Sequence, residues 1–316
     1  MGQAQSSTKV AGIDVSKRRL DVAIHGLEDE IAVDNAPAGC SELIDWLRAR
    51  EVGRVGLEAS GGYERRVREA LEAAGFEVVL HQPLEVKGFA QSRRWRGKTD
   101  KRDARLIAWA TAEMGEAKVR DPRLVELAER LTAYEQVTDQ AAQLKTCLET
   151  LRLKDVAAGF RAQIKSLERL KARLAADLVR RIKAEPDLLQ RFRLLLSLPG
   201  VGPIVAATLV VRMPELGAMD RGQAASLIGV APFARDSGQW KGLRFISGGR
   251  ARPRRMLYLA ALQAKRCSPT LKAFADRLTA SGKPAKLIIV AVMRKLIEAA
   301  NLVLSRGHPW LKHPAT

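Results

Sequence analysis

Short apolar runs of strand length alternate with amphipathic stretches of helix length through the first third of the chain. Residues 10–13 are β-branched and small, and after a turn at 16–19 residues 20–24 alternate, so the pair predicts a hairpin opening a sheet. Residues 31–33 predict a third short strand, and 40–50 a helix with Leu43, Ile44 and Leu47 on one face. Residues 54–58 read as a parallel strand ending in an acid. An exit turn at Gly61 and Gly62 follows, then an amphipathic helix over 63–74 with Gly75 at its C′ position, and a strand over 77–81 stopped by Pro83. This order of elements is a mixed α/β pattern.

From Pro122 the pattern changes. Leu124, Leu127 and Leu131, then Leu144, Leu148 and Leu151, then Phe160, Ile164, Leu167, Leu170, Leu174, Leu178 and Ile182 recur at three- and four-residue spacing. Two long helices are predicted, with a break at 156–160. The dense charges beside the apolar stripe favour an oligomerising coiled coil, with an intramolecular helical hairpin as the other reading. Beyond Glu185, Pro186 and Asp187, an apolar helix, the turn Pro199-Gly200-Val201-Gly202-Pro203 and a helix over 204–211 predict a helix-hairpin-helix. Its turn, with Gly200 and Gly202, is suited to holding a backbone phosphate. Further helices are expected over 221–227, capped by Asp220, from the cluster Arg250, Arg252, Arg254 and Arg255 onward, over 271–280, and over 285–304 with Arg294 and Lys295. The chain thus divides into an α/β domain at 8–117, a coiled-coil segment at 118–187 and a mostly helical domain at 188–312.

With 316 residues the chain is long enough to bury a sizeable core. Its 54 Lys and Arg against 35 Asp and Glu leave a net charge of +19, which calls for a polyanionic partner, nucleic acid first. Residues 1–9 lack a hydrophobic signal core, and no run approaches the ~18 apolar residues of a spanning helix. A soluble, cytoplasmic, nucleoid-associated protein without a membrane partner is expected. Cys40, Cys147 and Cys267 have no paired spacing, and His25, His81, His308 and His313 no zinc-ligand spacing. Carboxylates must then hold any metal.

Four acids stand out. Asp14 ends the first strand, where burying a carboxylate costs several kcal/mol unless a cation or hydrogen bonds compensate; a metal does so, and a strand-end turn is the other reading. Glu58 ends a later strand. Residues 91–103 form a basic loop carrying Arg93, Arg94, Arg96 and Lys98 around Trp95, running into a helix that Thr99 can cap. Asp100 and Asp103 share a face of that helix's first turn, and the helix dipole explains Asp100 well and Asp103 less well. An RNase H-like sheet would bring these four together. Four such carboxylates can hold two Mg²⁺ ions, or Mn²⁺ in their place, clamping both oxygens of a phosphodiester displacement.

At these residues the chain resembles the DEDD transposases of the insertion sequence 110/1111 group, which include related DNA invertases. Gly12-Ile13-Asp14-Val15-Ser16-Lys17, Glu58-Ala59-Ser60-Gly61-Gly62-Tyr63 and Lys98-Thr99-Asp100-Lys101-Arg102-Asp103-Ala104 are similar to the family's RuvC-like domain. Leu198-Pro199-Gly200-Val201-Gly202, Gly229-Val230-Ala231-Pro232 and Asp236-Ser237-Gly238 are similar to its C-terminal transposase domain. The resemblance implies catalysis by Asp14, Glu58, Asp100 and Asp103 with a nucleophilic Ser237. It also implies donor and target DNA, a noncoding guide RNA and a homo-oligomer, dimer or tetramer. Without it, Ser237-Gly238 reads as a turn, with Ser247 a rival nucleophile. A RuvC-like structure-selective endonuclease and a DNA invertase are the alternative activities, and a non-enzymatic architectural protein has no use for the four acids.

Overall fold

Five strands build the sheet of the N-terminal part. β1 (Lys9–Val15), β2 (Arg19–Ile24) and β3 (Glu30–Asp34) form an antiparallel meander, and β4 (Val52–Glu58) and β5 (Glu77–His81) extend it in parallel from the other side of β1. The order β3-β2-β1-β4-β5, with β2 alone reversed, is that of an RNase H-like sheet. In this computed structural model residues 9–95, 100–114, 121–233, 242 and 244–310 are described.

Alternation along the strands decides which side chains meet which helix. Ala11, Ile13, Val15, Val55 and Leu57 are buried in one cluster with Cys40, Leu43 and Leu47 of α1 (Pro37–Ala49) and Val67 and Leu71 of α2 (Glu64–Ala73). α3 (Pro83–Ser92) and α4 (Asp100–Met114) make a smaller cluster through Val86, Phe89, Leu106, Ile107 and Ala110, and α4 lies across β1, β2 and β4. α3 was not expected. Pro83 does stop β5, but it also opens a helix, because proline's fixed φ suits the first helical position and its missing N–H is not needed there. Glu85 then accepts a hydrogen bond from the Gln82 amide at 2.9 Å.

The chain forms two compact units, Met1–Arg120 and Asp121–Thr316. The second begins with α5 (Pro122–Thr150) and α6 (Lys154–Ala184), which pack on one another. Arg130–Asp177 at 2.7 Å and Lys145–Glu168 at 2.6 Å pair residues ever farther apart from the turn, so the helices are antiparallel. The break falls at 151–153. α6 runs straight through the expected break at 156–160, its first turn closed by the Ala157 amide on the Leu153 carbonyl. At the base of the hairpin the apolar stripe expected to form a coiled coil finds its partner within the chain: Leu127, Leu131, Leu178 and Ile182 are buried in the core of the C-terminal unit, while Leu144, Leu148, Leu167, Leu170 and Leu174 nearer the tip are half-buried.

That core is completed by α7 (Pro186–Leu196), α8 (Pro203–Arg212), α9 (Arg221–Ile228), α10 (Ala251–Cys267), α11 (Pro269–Ala280) and α12 (Ala285–Arg306), while β6 (Pro232–Phe233) and β7 (Phe245–Ile246) form a short exposed pairing outside it. Asp220 caps α9 by accepting from the Gln223 amide at 2.8 Å. The turn between α7 and α8 has a packing reason for its glycine. Gly200 has φ +76, and a Cβ there would strike the α10 backbone at Ala260 and Ala264.

Candidate catalytic face

Two glycines let α4 rest on the strands. A Cβ on Gly12 would collide with the Ala104 carbonyl oxygen and the Ala108 amide nitrogen, and one on Gly56 with the Thr111 hydroxyl. Both glycines therefore face α4. Side chains two residues apart share a face of a strand, so Asp14 and Glu58 project on that same face. Ile13 stands beside Leu57 in the parallel register of β1 and β4, which makes the two acids neighbours at the carboxyl ends of adjacent strands. Asp103 immediately precedes Ala104, at the end of α4 that meets Gly12. Asp14, Glu58 and Asp103 are half-buried. The side chain of Asp100 lies outside the described residues.

Register also reveals two residues the sequence reading passed over. Asp21 lies directly across from Asp14 in the antiparallel pair, hence on the same face, and is buried. Like charges placed opposite each other destabilise a sheet. Arg19 offsets this, its Nε donating to both Asp21 oxygens at 3.1 Å and its Nη2 to Oδ1 at 2.8 Å. His81 stands beside Glu58 on β5 and is likewise buried. The Thr111 hydroxyl donates to the Ile107 carbonyl at 2.7 Å, so its oxygen accepts from His81 Nε2–H at 2.8 Å. Burial pushes the His81 pKa down, with Glu85 opposing. The signals were present: a polar residue inside an apolar run for Asp21, and for His81 the strand-end position that Asp14 and Glu58 also occupy.

The rim of this face is held by hydrogen bonds. Asn35 Nδ2 donates to the Ser16 carbonyl at 2.9 Å and the Tyr63 carbonyl at 3.1 Å, tying the loop after β1 to the loop after β4. Glu64 Oε2 accepts from the Ser60 amide at 3.1 Å, the Ser60 hydroxyl at 2.8 Å and the Gly62 amide at 2.8 Å. Burial raises the Glu64 pKa, but these bonds outweigh it and hold the carboxyl below its usual value.

Oxygen ligands of this kind suit Mg²⁺, and three of the four expected acids share one end of one face. Among the described residues, no three His, Cys, Asp or Glu side chains are grouped closely enough to hold a metal ion. The donor chemistry and the common face suit the ion, but Asp14, Glu58 and Asp103 as placed do not by themselves form a coordination group.

The other sequence-predicted residues are dispersed. Arg93 pairs with Glu113 and lies over the rings of Phe89 and Trp109, while Arg94 follows α3 with φ 52. Arg96, Lys98 and Ser237 lie outside the described residues. Each of the four clustered arginines is engaged within the C-terminal unit. Arg250 grips Glu215 at 2.6 and 2.8 Å, Arg252 pairs with Glu135, Arg255 with Asp139 at 2.6 Å, and Arg254 donates to the carbonyls of Gly229 and Gly248. They seat α10 on α5 and on the loops around β6 and β7. Gly202 faces open space, unlike Gly200. Arg294 and Lys295 gather at Glu298.

Comparison with known proteins now decides the family. A family model described as a transposase, of the DEDD type of IS110, matches residues 11–156, and one described as transposase IS116/IS110/IS902 family matches residues 192–276. The chain belongs to the IS110 transposase family. As a member it is an enzyme of DNA recombination. Pilin gene-inverting proteins of Moraxella bovis and Moraxella lacunata are each 26% identical over 315 residues, covering 95% of this chain and 97% of their own. The insertion element IS900 uncharacterized 42 kDa protein of Mycobacterium paratuberculosis is 33% identical over 144 residues, 40% of this chain and 34% of its own. Among solved structures, T. thermophilus RuvC in complex with a Holliday junction substrate is 19% identical, covers 35% of this chain and 98% of its own, and has a TM-score of 0.29. Among the described residues, no helix of this IS110-family chain is long and apolar enough to cross a membrane.

Proposed function

We propose that this transposase-family enzyme cuts and rejoins DNA strands with Asp14, Glu58, Asp100 and Asp103 as Mg²⁺ ligands and Ser237 as nucleophile, on donor and target DNA paired with a noncoding guide RNA, as a dimer or tetramer. The observation that carries the reading is the common projection of Asp14 and Glu58, from adjacent parallel strands, onto the face that α4 covers. Mg²⁺ bound there would supply Lewis-acid stabilisation of charge on the phosphoryl oxygens. The four acids would hold that ion, with Asp103 positioned by the seating of α4 on Gly12. Arg19 keeps Asp21 from adding a further uncompensated charge beside Asp14.

In the covalent step the Ser237 oxygen bonds to phosphorus as the backbone phosphorus–oxygen bond breaks. The serine proton passes to a base, and the released strand's oxygen takes up a proton. Attack by the hydroxyl of the incoming strand reverses these changes and frees the serine, so the bond energy is kept without an external source. Inversion of a segment is the favoured form of recombination, because the pilin gene-inverting relatives match across nearly the whole chain.

The test uses the full chain on an end-labelled duplex. Asp14→Asn, Glu58→Gln, Asp100→Asn and Asp103→Asn should keep DNA binding and lose cutting, well beyond the roughly 10–100-fold that loss of an outer partner of a metal ligand costs. Full activity in excess EDTA would rule out the metal. Ser237→Ala should form no protein–DNA adduct on a nicked substrate while Ser247→Ala still does. Cutting by the unaltered chain without any adduct would make water the nucleophile and the enzyme a nuclease.

A further inference from the structure

The ion-pair clusters of the C-terminal unit differ in balance. Arg123, for instance, is surrounded by Asp121, Glu185 and Asp187 at 2.7–2.9 Å. Asp177, by contrast, meets Arg130, Arg180 and Arg181, sharing Arg130 and Arg181 with Glu126, and the cluster at Glu298 leans furthest toward the cations. Glu298 of α12, its side chain only 10% exposed, accepts from Arg221 Nη2 and from Arg294 Nε, both at 3.0 Å, and has Lys295 Nζ at 4.0 Å. Burial raises the Glu298 pKa, but Arg221 and Arg294 overcome it and keep the group ionised. The cationic row continues through Phe274 of α11, which has Lys295 at 5.9 Å and Arg277 at 5.5 Å from its ring centroid. Three cations thus adjoin one carboxylate, and a fourth, Arg277, joins the row through Phe274.

Three features say that these cations are not there for Glu298 alone. One arginine would neutralise it. Arg221 stands at the first position of α9, where the helix dipole disfavours a positive charge. The heads also remain in solvent, at 73% exposure for Arg221, 49% for Lys295 and 42% for Arg294. A guanidinium has five N–H donors. Among the described residues, the further donors of Arg221 and Arg294 meet no acceptor besides Glu298. Glu298 and Phe274 fix the stems of a row whose charged ends face outward, which is the arrangement a polyanion with evenly spaced charges requires.

We propose that this face of α9, α11 and α12 is a docking surface for the phosphodiester backbone of duplex DNA, contacted by Arg221, Arg277, Arg294 and Lys295 without reading base sequence. Phosphate contacts position a duplex and carry no sequence information themselves. The choice of DNA as the partner rests on the strand-exchange reading above; the cationic row does not.

The test measures binding of the full chain to a labelled random-sequence duplex by fluorescence anisotropy over a salt series. The triple variant Arg221→Gln, Arg277→Gln and Lys295→Gln leaves Arg294 to partner Glu298, and circular dichroism checks its fold. Each lost contact should flatten the slope of log affinity against log salt by about 0.9, so the triple variant should lose about 2.7, equally for every duplex sequence. Arg123→Gln, the control, should keep the unaltered slope. An unchanged slope in the triple variant overturns the proposal, as does an equal loss in the control. Loss confined to a single-stranded RNA probe overturns the assignment to duplex DNA. If the unaltered chain cuts no DNA while the triple variant still loses slope, the strand-exchange reading falls and the docking surface stands; intact cutting with an unchanged slope does the reverse.

Discussion

His81 Nε2 donates to Thr111 Oγ1 at 2.8 Å, and this one hydrogen bond joins β5 to α4 beside the candidate catalytic acids. Thr111 passes its own proton to the Ile107 carbonyl, so the His81 tautomer is fixed. Thr111→Val keeps the shape and removes the acceptor, leaving a buried imidazole N–H without its partner. The expected cost is about 1–3 kcal/mol in urea unfolding, and Thr111→Ser should restore most of it. Equal losses for Val and Ser would mean that the methyl group, not the hydroxyl, matters there.

The close seating of α4 should tolerate no added carbon at Gly12, where a Cβ meets helix backbone that has nowhere to retreat. Gly12→Ala is expected to cost at least the roughly 1–3 kcal/mol of an overpacked core and to expose α4 to limited proteolysis. Gly56 differs, because its Cβ would meet only the Thr111 side chain. Gly56→Ala combined with Thr111→Ala should therefore cost less than the sum of the two, by about 0.5–3 kcal/mol in a double-mutant cycle. Strict additivity would show that the two side-chain positions do not compete for one space.

Glu64 gives the loop after β4 a pH dependence of definite sign. Its folded pKa lies below its unfolded one, so its contribution is complete above the unfolded value of about 4.3 and disappears as pH falls through the lower folded value. Glu64→Gln should lower stability at neutral pH by about 1.5–3 kcal/mol, the scale of a hydrogen bond to a charged group. The difference from the unaltered chain should close in strongly acid solution. A gap of constant size across that range would assign the effect to shape, not charge.

The α5–α6 hairpin should be stabilised at its base and indifferent at its tip. Leu178 is fully buried and Leu153, in the connecting turn, is exposed. Leu178→Ala should cost about 2–5 kcal/mol, and Leu153→Ala should fall within about 0.5 kcal/mol of the unaltered chain. Comparable losses at both positions would place the tip in a core of its own.

What the sequence made legible was local. Strand alternation around Ile13 and Leu57 and the cap at Asp220 are set by neighbours a few residues away, and they appear where expected. Pro83 misled because one residue type both ends strands and starts helices. Spacing at Leu167 and Leu174 announces a partner helix but cannot say whether it belongs to the same chain. Asp21 and His81 were passed over because their places beside Asp14 and Glu58 follow from register, which no single segment contains. For Arg250, Arg252 and Arg255 charge suggested phosphate, and their carboxylate partners were not legible because they come from α5 and the loop after α8.

The glycine-backed docking of α4 sets an order in time. When the ribosome has released β1 through β5, Asp14 and Glu58 already stand side by side, but Asp103 belongs to a helix that has yet to emerge and close a long loop back onto Gly12. On the proposed reading a nascent chain would therefore carry an incomplete set of acids until α4, the last described helix of its first unit, had settled.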